Sequence, residues 1–128
     1  MTDEEVRWAR DCVRRGETSK IYNSARWHRL RRQVLDMDHG ECQVCRGRYR
    51  PDLLYHDGPR YTPASVVHHD LELLKHPEHA FDISYKDAYG IERRNLWSVC
   101  RDHHEMIHGY RQPRDVLERQ NLTEERWD

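Results

Sequence analysis

The sequence predicts a small α+β domain, stapled by a structural metal and flanked by N-terminal helices. Three observations carry that expectation. Apolar residues recur at helical spacing in two stretches before Met37, on either side of Gly16. Cys42-x2-Cys45 finds a second half-site far downstream in Cys100-x2-His103. Two short extended runs, Ala64–Val67 and Leu96–Cys100, each lead into clustered ligand-type residues.

At 128 residues the chain is one domain, or one domain with arms, and 36% hydrophobic against 35% charged residues leaves a thin core. Residues 1–20 are expected as a helical arm, 21–111 as the central domain with its metal sites, and 112–128 as a tail. No apolar run follows Met1-Thr-Asp-Glu-Glu, so no signal peptide or membrane span is expected, and the protein is expected in the cytoplasm. The net charge of −1 is uninformative alone. From Arg10 to Arg50, however, eleven Lys and Arg stand against five Asp and Glu, a local balance of +6. Such asymmetry is a prior for an acidic partner.

Thr2 with Glu5 three residues on forms a capping-box pattern, and Val6, Ala9 and Val13 recur behind it beside Trp8 and Cys12. A helix is predicted from about Asp3 to Arg15, with Gly16 as its stop. Cys12 is isolated and reads as a packed thiol. A second helix begins after Ser24 as N-cap. Trp27, Leu30, Val34 and Met37 line one face of it, with Leu35 beside them. Arg26, Arg29, Arg31 and Arg32 cover the rest, either as a solvated basic face or as a surface for phosphates.

Gly40 ends that helix, and Cys42-Gln-Val-Cys45 follows as a knuckle in which two thiolates converge while turn N–H groups donate to sulfur. With Cys100 and His103 it makes a Cys3His tetrahedral zinc site, filled by protein and therefore structural. Arg46 to Pro63 shows no period and reads as a surface loop, whose Tyr49, Tyr55 and Tyr61 suit packing better than base stacking. Ala64–Val67 starts a strand that ends in His68-His69, pointing the two rings to opposite sides. Leu71 to His79 is a loop or broken helix because of Pro77, and Phe81 to Ile91 carries no clear signal. Leu96–Cys100 is a second strand, expected to pair with the first. Arg101 or Asp102 to about Gly109 is a helix, on which His104 and His108 share one face and can chelate one ion. The tail from Arg114 forms an amphipathic helix or stays mobile.

A strand ending in His-His, Asn95-Leu96 on a second strand, and Cys100-x2-His103-His104-x3-His108 on a helix together resemble the ββα-metal nuclease core. With Cys42-x2-Cys45 they are similar to the zinc-containing HNH endonucleases of the small phage type. Tyr22-Asn-Ser-Ala-Arg-Trp27, Tyr61–His69 and His76-Pro-Glu-His-Ala80 resemble that subgroup as well. The likeness spans residues 20 to 110. One departure is His103, which stands where the family usually has a Cys.

The resemblance implies a ββα-metal core and assigns roles. His69 matches the general base that takes a proton from the attacking water, suited to it by an ordinary pKa near 6.5. His68, His104 and His108 match the ligands of a catalytic divalent ion. Asn95 matches the residue that pins the loop around His69. A three-His site suits Zn2+, Ni2+, Co2+ or Mn2+ better than Mg2+, though the family allows several ions. His28, His39, His56, His76 and His79 read as surface or loop residues, although His76 or His79 could replace one ligand, and His108 also reads as a cation at a helix end. The implied activity is a metal-dependent DNA endonuclease or nickase that leaves 5′-phosphate and 3′-hydroxyl ends. The subgroup implies action beside phage terminase, in the host cytoplasm if phage-encoded. A monomer or weak dimer is expected, since one such site cuts one strand. The alternative is a non-catalytic zinc-dependent nucleic-acid binding module. Such a module has no use for His69 and Asn95 in register.

Overall fold

A computed structural model of the chain describes residues 1–54 and 59–109. The tail and residues 55–58, with Tyr55 and His56, lie outside the described residues. The chain divides into two compact units, one of Met1–His39 with Val67–Trp97 and one of Gly40–Val66 with Ser98–Asp128.

In the first unit, α1 (Asp3–Arg14) starts at Thr2, whose hydroxyl accepts from the Glu5 N–H at 3.1 Å while the Glu5 carboxylate accepts from the Thr2 N–H at 3.0 Å. This reciprocal bonding satisfies two of the orphan N–H groups at the helix start. A short helix follows, α2 (Thr18–Tyr22), too brief to show a period in sequence. Helix α3 (Ala25–Met37) is capped by Ser24, which accepts from the Trp27 N–H at 3.2 Å. Ala9, Cys12, Ile21, Trp27, Leu30 and Val34 enter one apolar cluster with Val67, Leu73, Ala80, Phe81 and Leu96. Cys12 is thus the packed thiol expected, at 3% exposure.

Met37 departs from the expected stripe, being 47% exposed at the last position of α3. The next residue, Asp38, is buried in its place and takes a 2.5 Å ion pair from Arg94. The apolar stripe thus ends at Val34, and beyond it the buried position goes to a carboxylate that is paired.

Strands β1 (Val66–His69) and β4 (Leu96–Val99) form one two-stranded sheet. Ser65 N–H bonds the Val99 carbonyl at one end and Asp70 N–H the Asn95 carbonyl at the other, so the strands run antiparallel. The polar stretch without a sequence signal holds a second antiparallel pair, β2 (Ser84–Lys86) with β3 (Glu92–Arg94), in register Tyr85 opposite Arg93. Its turn is held by Asp87, whose Oδ1 accepts from the N–H groups of Tyr89 at 2.9 Å and Ile91 at 3.0 Å. An Asx-type turn specifies this hairpin, and it leaves no apolar alternation to read.

The chain leaves β4 through Cys100 into α4 (Arg101–Ile107), which belongs to the second unit. A 3-10 turn at Pro51–Leu53 precedes the undescribed residues. Backbone bonds from Cys42 N–H to Thr62 at 2.8 Å and Gln43 N–H to Ser98 at 2.9 Å tie the knuckle to its neighbours.

The packing separates two positions of the same expected stripe, Leu30 and Met37. Leu30→Ala, at a 3% exposed core position, is expected to cost about 2–5 kcal/mol in chemical denaturation. Met37→Ala should stay within about 0.5 kcal/mol of wild type, as for an ordinary surface change.

Candidate metal centre and base site

Cys42, Cys45, Cys100 and His103 are all buried, and their donor atoms lie within 4.8 Å of one another. His103 Nδ1 stands 3.7 Å from Cys42 Sγ, 3.3 Å from Cys45 Sγ and 3.4 Å from Cys100 Sγ. The Cys45 and Cys100 sulfurs are 3.9 Å apart, and all four cysteines are free thiols. A tetrahedron with Zn–S near 2.3 Å and Zn–N near 2.05 Å has edges of about 3.8 Å between sulfurs and about 3.6 Å from sulfur to nitrogen. The donor set therefore fits a zinc ion.

The surroundings favour the same reading. The Cys45 N–H donates to Cys42 Sγ at 3.5 Å, the knuckle bond expected of a C-x2-C turn. His103 Nε2 lies 3.1 Å from the Leu53 carbonyl, so that nitrogen carries the proton and Nδ1 is left as the donor to metal. Hydrogen bonds from Cys100 and Cys45 hold the Cys42 thiol far below its ordinary pKa, and the same contacts push Cys100 well above it. Burial lowers the His103 imidazole, but the Cys42 and Cys45 sulfurs outweigh it and raise the group to about 9. Four donors held this close share protons unevenly. A divalent cation bound there would remove that conflict by accepting a lone pair from each of the four donors.

His68 and His69 end β1 and are both buried. His69 Nε2 is 2.9 Å from the Ala80 carbonyl. A carbonyl only accepts, so Nε2 bears the hydrogen and Nδ1 keeps the lone pair. Burial holds the His69 pKa below its ordinary value, partly offset by the Ala80 bond. The ring is therefore neutral at neutral pH.

Asn95, fully buried, spans the loop that carries Ala80. Its Oδ1 accepts from the Leu71 N–H at 2.9 Å, and its Nδ2 donates to the Asp82 carbonyl at 2.9 Å and the His79 carbonyl at 3.2 Å. Both flanks of Ala80 are thus held by one amide.

His104 on α4 and His108, the residue that caps its C-terminal end, bring their Nε2 atoms to 3.0 Å. Burial first, then the neighbouring His108, holds His104 below its ordinary pKa and so favours its neutral form. Two imidazoles on one ion at about 2.05 Å would stand about 2.9–3.4 Å apart, from octahedral to tetrahedral geometry. The pair fits an ion.

The basic helix is less uniform than its sequence. Arg26 pairs with Glu5 at 3.1 Å and lies over Phe81, and Arg31 is half-buried. Arg29 and Arg32 are exposed. His76 and His79 face Glu78 at 3.1 Å and Asp82 at 2.8 Å. Tyr49 is buried, as expected of packing, but Tyr61 is 71% exposed under the Arg46 guanidinium.

Sequence reasoning missed three participants. The Ala80 and Leu53 carbonyls leave no signal, because every residue has one. Trp27 read only as core, yet its ring stacks on His69 at 4.9 Å.

No family model matches the sequence, and no curated protein matches it. Among solved structures the chain is similar to the crystal structure of a deep-sea thermophilic bacteriophage GVE2 HNH endonuclease with manganese ion. The two share 22% identity over 95% of this chain and 98% of that one, with a TM-score of 0.49.

Replacing one knuckle thiol tests the zinc centre. Cys42→Ala is expected to lose zinc and the fold of its unit, because structural zinc binding contributes about 10–16 kcal/mol that is also folding energy. Metal analysis and circular dichroism read both, and a folded variant with full zinc would reject the site.

Proposed function

We propose that the chain is a metal-dependent DNA endonuclease or nickase in which His69 is the general base. The observation that carries this reading is the committed tautomer of His69. With Nε2 bonded to Ala80, Nδ1 offers its lone pair from a neutral ring, the state a base needs before it takes a proton from water. Asn95 supports that state without touching substrate, by holding the carbonyls of His79 and Asp82 on either side of Ala80 and the N–H of Leu71.

We assign His68, His104 and His108 as ligands of a catalytic divalent ion, with Mn2+, Ni2+, Mg2+ or Zn2+ as candidates. Support comes from the His104–His108 spacing and from the placement of His68 one residue before the base on β1. When bound, the ion supplies positive charge for the phosphate and for the departing 3′ oxygen. The zinc held by Cys42, Cys45, Cys100 and His103 is structural, since protein donors fill all four positions. Phosphate contact by α3 falls on exposed Arg29 and Arg32, with Arg26 and Arg31 more engaged in the protein.

DNA is the proposed substrate, and a terminase large subunit the proposed partner. No helix among the described residues is long and apolar enough to cross a membrane. A pull-down that returns no large terminase subunit would remove that partner while leaving the nuclease untouched.

The decisive assay is conversion of supercoiled plasmid by wild type and His69→Ala, with EDTA or with Mg2+, Mn2+ or Ni2+. Wild type is expected to nick or linearise in a metal-dependent way, with Mn2+ or Ni2+ at least equal to Mg2+. His69→Ala should stay folded and lose about 10²–10⁴-fold in rate. No conversion with any ion, beside DNA binding that His69→Ala leaves unchanged, would instead make the chain a zinc-dependent binding module.

A further inference from the structure

The bond from His69 Nε2 to Ala80 settles the tautomer but holds the ring plane only loosely. The Cβ–Cγ axis of a histidine passes between Cε1 and Nε2. Turning the ring about that axis moves Nε2 little and swings Nδ1 through a wider arc. For an imidazole this torsion is broad and roughly two-fold, so a single hydrogen bond does not select one plane.

A flat neighbour does. The Trp27 ring lies against His69 with 4.9 Å between centroids and 15° between planes. Tyr22 meets Trp27 edge-on at 5.5 Å and approaches His69 at 6.2 Å, closing the group from the side. Tilting the imidazole would drive its edge into the indole. Trp27 is itself held, its side chain 4% exposed in the apolar cluster and its backbone N–H on the Ser24 cap at the start of α3. A ring so fixed acts as a wall.

We propose that Trp27, backed by Tyr22, is a positioning residue that sets the plane of the His69 imidazole and so the direction of Nδ1. It acts through His69 and touches no reacting atom. The proposal rests on reading His69 as the base. Its contribution is orientational, and small errors in the placement of a reacting group can cost on the order of 10²-fold in rate.

The test compares Trp27→Phe, Trp27→Leu, Tyr22→Leu and His69→Ala in steady-state cleavage of an oligonucleotide duplex. Melting curves and the NMR signals of the His69 ring protons accompany the kinetics. Trp27→Leu is expected to lower kcat about 10–100-fold with little change in KM, and to move the His69 signals as the indole ring current disappears. Trp27→Phe, which keeps a flat face, should recover most of kcat. A folded Trp27→Leu with wild-type kcat, beside an inactive His69→Ala, would overturn the proposal and leave the base standing. Trp27→Phe no better than Trp27→Leu at equal melting temperature would also overturn it, because flatness would then not matter. If Trp27→Leu does not fold, Tyr22→Leu decides, with a several-fold fall in kcat expected and an unchanged value fatal. Full activity in His69→Ala would overturn both readings together.

Discussion

The first unit depends on the buried side chain of Asn95. Its amide makes three hydrogen bonds to the backbone at Leu71, His79 and Asp82, and its own N–H and carbonyl bond Ile83 and Asp70. A buried polar group left without partners costs about 1–3 kcal/mol, so an amide that satisfies three such groups stabilises a loop that has little apolar surface to hold it. Aspartate could accept from Leu71 but could not donate to two carbonyls. Only a neutral amide presents both kinds of atom at one point. The Ala80 carbonyl lies between two of those bonded positions, and through it the protonation of the His69 ring is settled.

The second unit solves its stability problem differently. The apolar cluster that gathers helices α1 to α3 lies wholly in the first unit. In the second, the fully buried side chains include Val44 and Val99 together with the polar or sulfur-bearing Cys42, Cys45, His103, Gln43 and Ser98. Beside those apolar residues stands a buried four-donor cluster whose geometry fits a metal ion, a second means of holding a small unit together. His103 shows how one residue is fitted for that duty, with one ring nitrogen turned to sulfur and the other to the Leu53 carbonyl. Were a dication bound, an imidazole in place of a fourth thiolate would lower the negative charge around it from four to three. The site keeps a neutral ligand whose far side can be anchored by a hydrogen bond, which a thiolate has no proton to make.

Much of this was legible in the sequence, for a physical reason. Metal donors are rare residue types at spacings fixed by backbone geometry, so Cys42, Cys45, Cys100 and His103 could be named in advance and the structure gathers them. The capping box of Thr2 and the Ser24 cap are local and were equally readable. What escaped was mediated by the backbone or by polar turns. The β2–β3 hairpin turns on one Asp87 carboxylate and shows no alternation. Helix α2 is only five residues long. Periodicity placed Trp27 in the core correctly, but a period cannot say which ring a buried indole will face.

Charge is where the sequence count and the folded chain differ most in meaning. The +6 balance between Arg10 and Arg50 treats every cation alike. In the structure Arg14 and Arg15 meet Asp11, Lys20 meets Glu17, and Arg26 and Arg50 meet Glu5 and Asp52 from outside that window. Exposed pairs of this kind add little stability, about 0–1 kcal/mol each, but they place a carboxylate beside each of those cations. At physiological salt a field fades over about 8 Å, so a phosphate feels its nearest charges rather than a forty-residue sum. On α3, Arg29 and Arg32 stand exposed three residues apart, so two cations of that window share one side of the helix. The same helix buries Trp27 against His69, so one rigid element both positions the imidazole and presents cations to solvent.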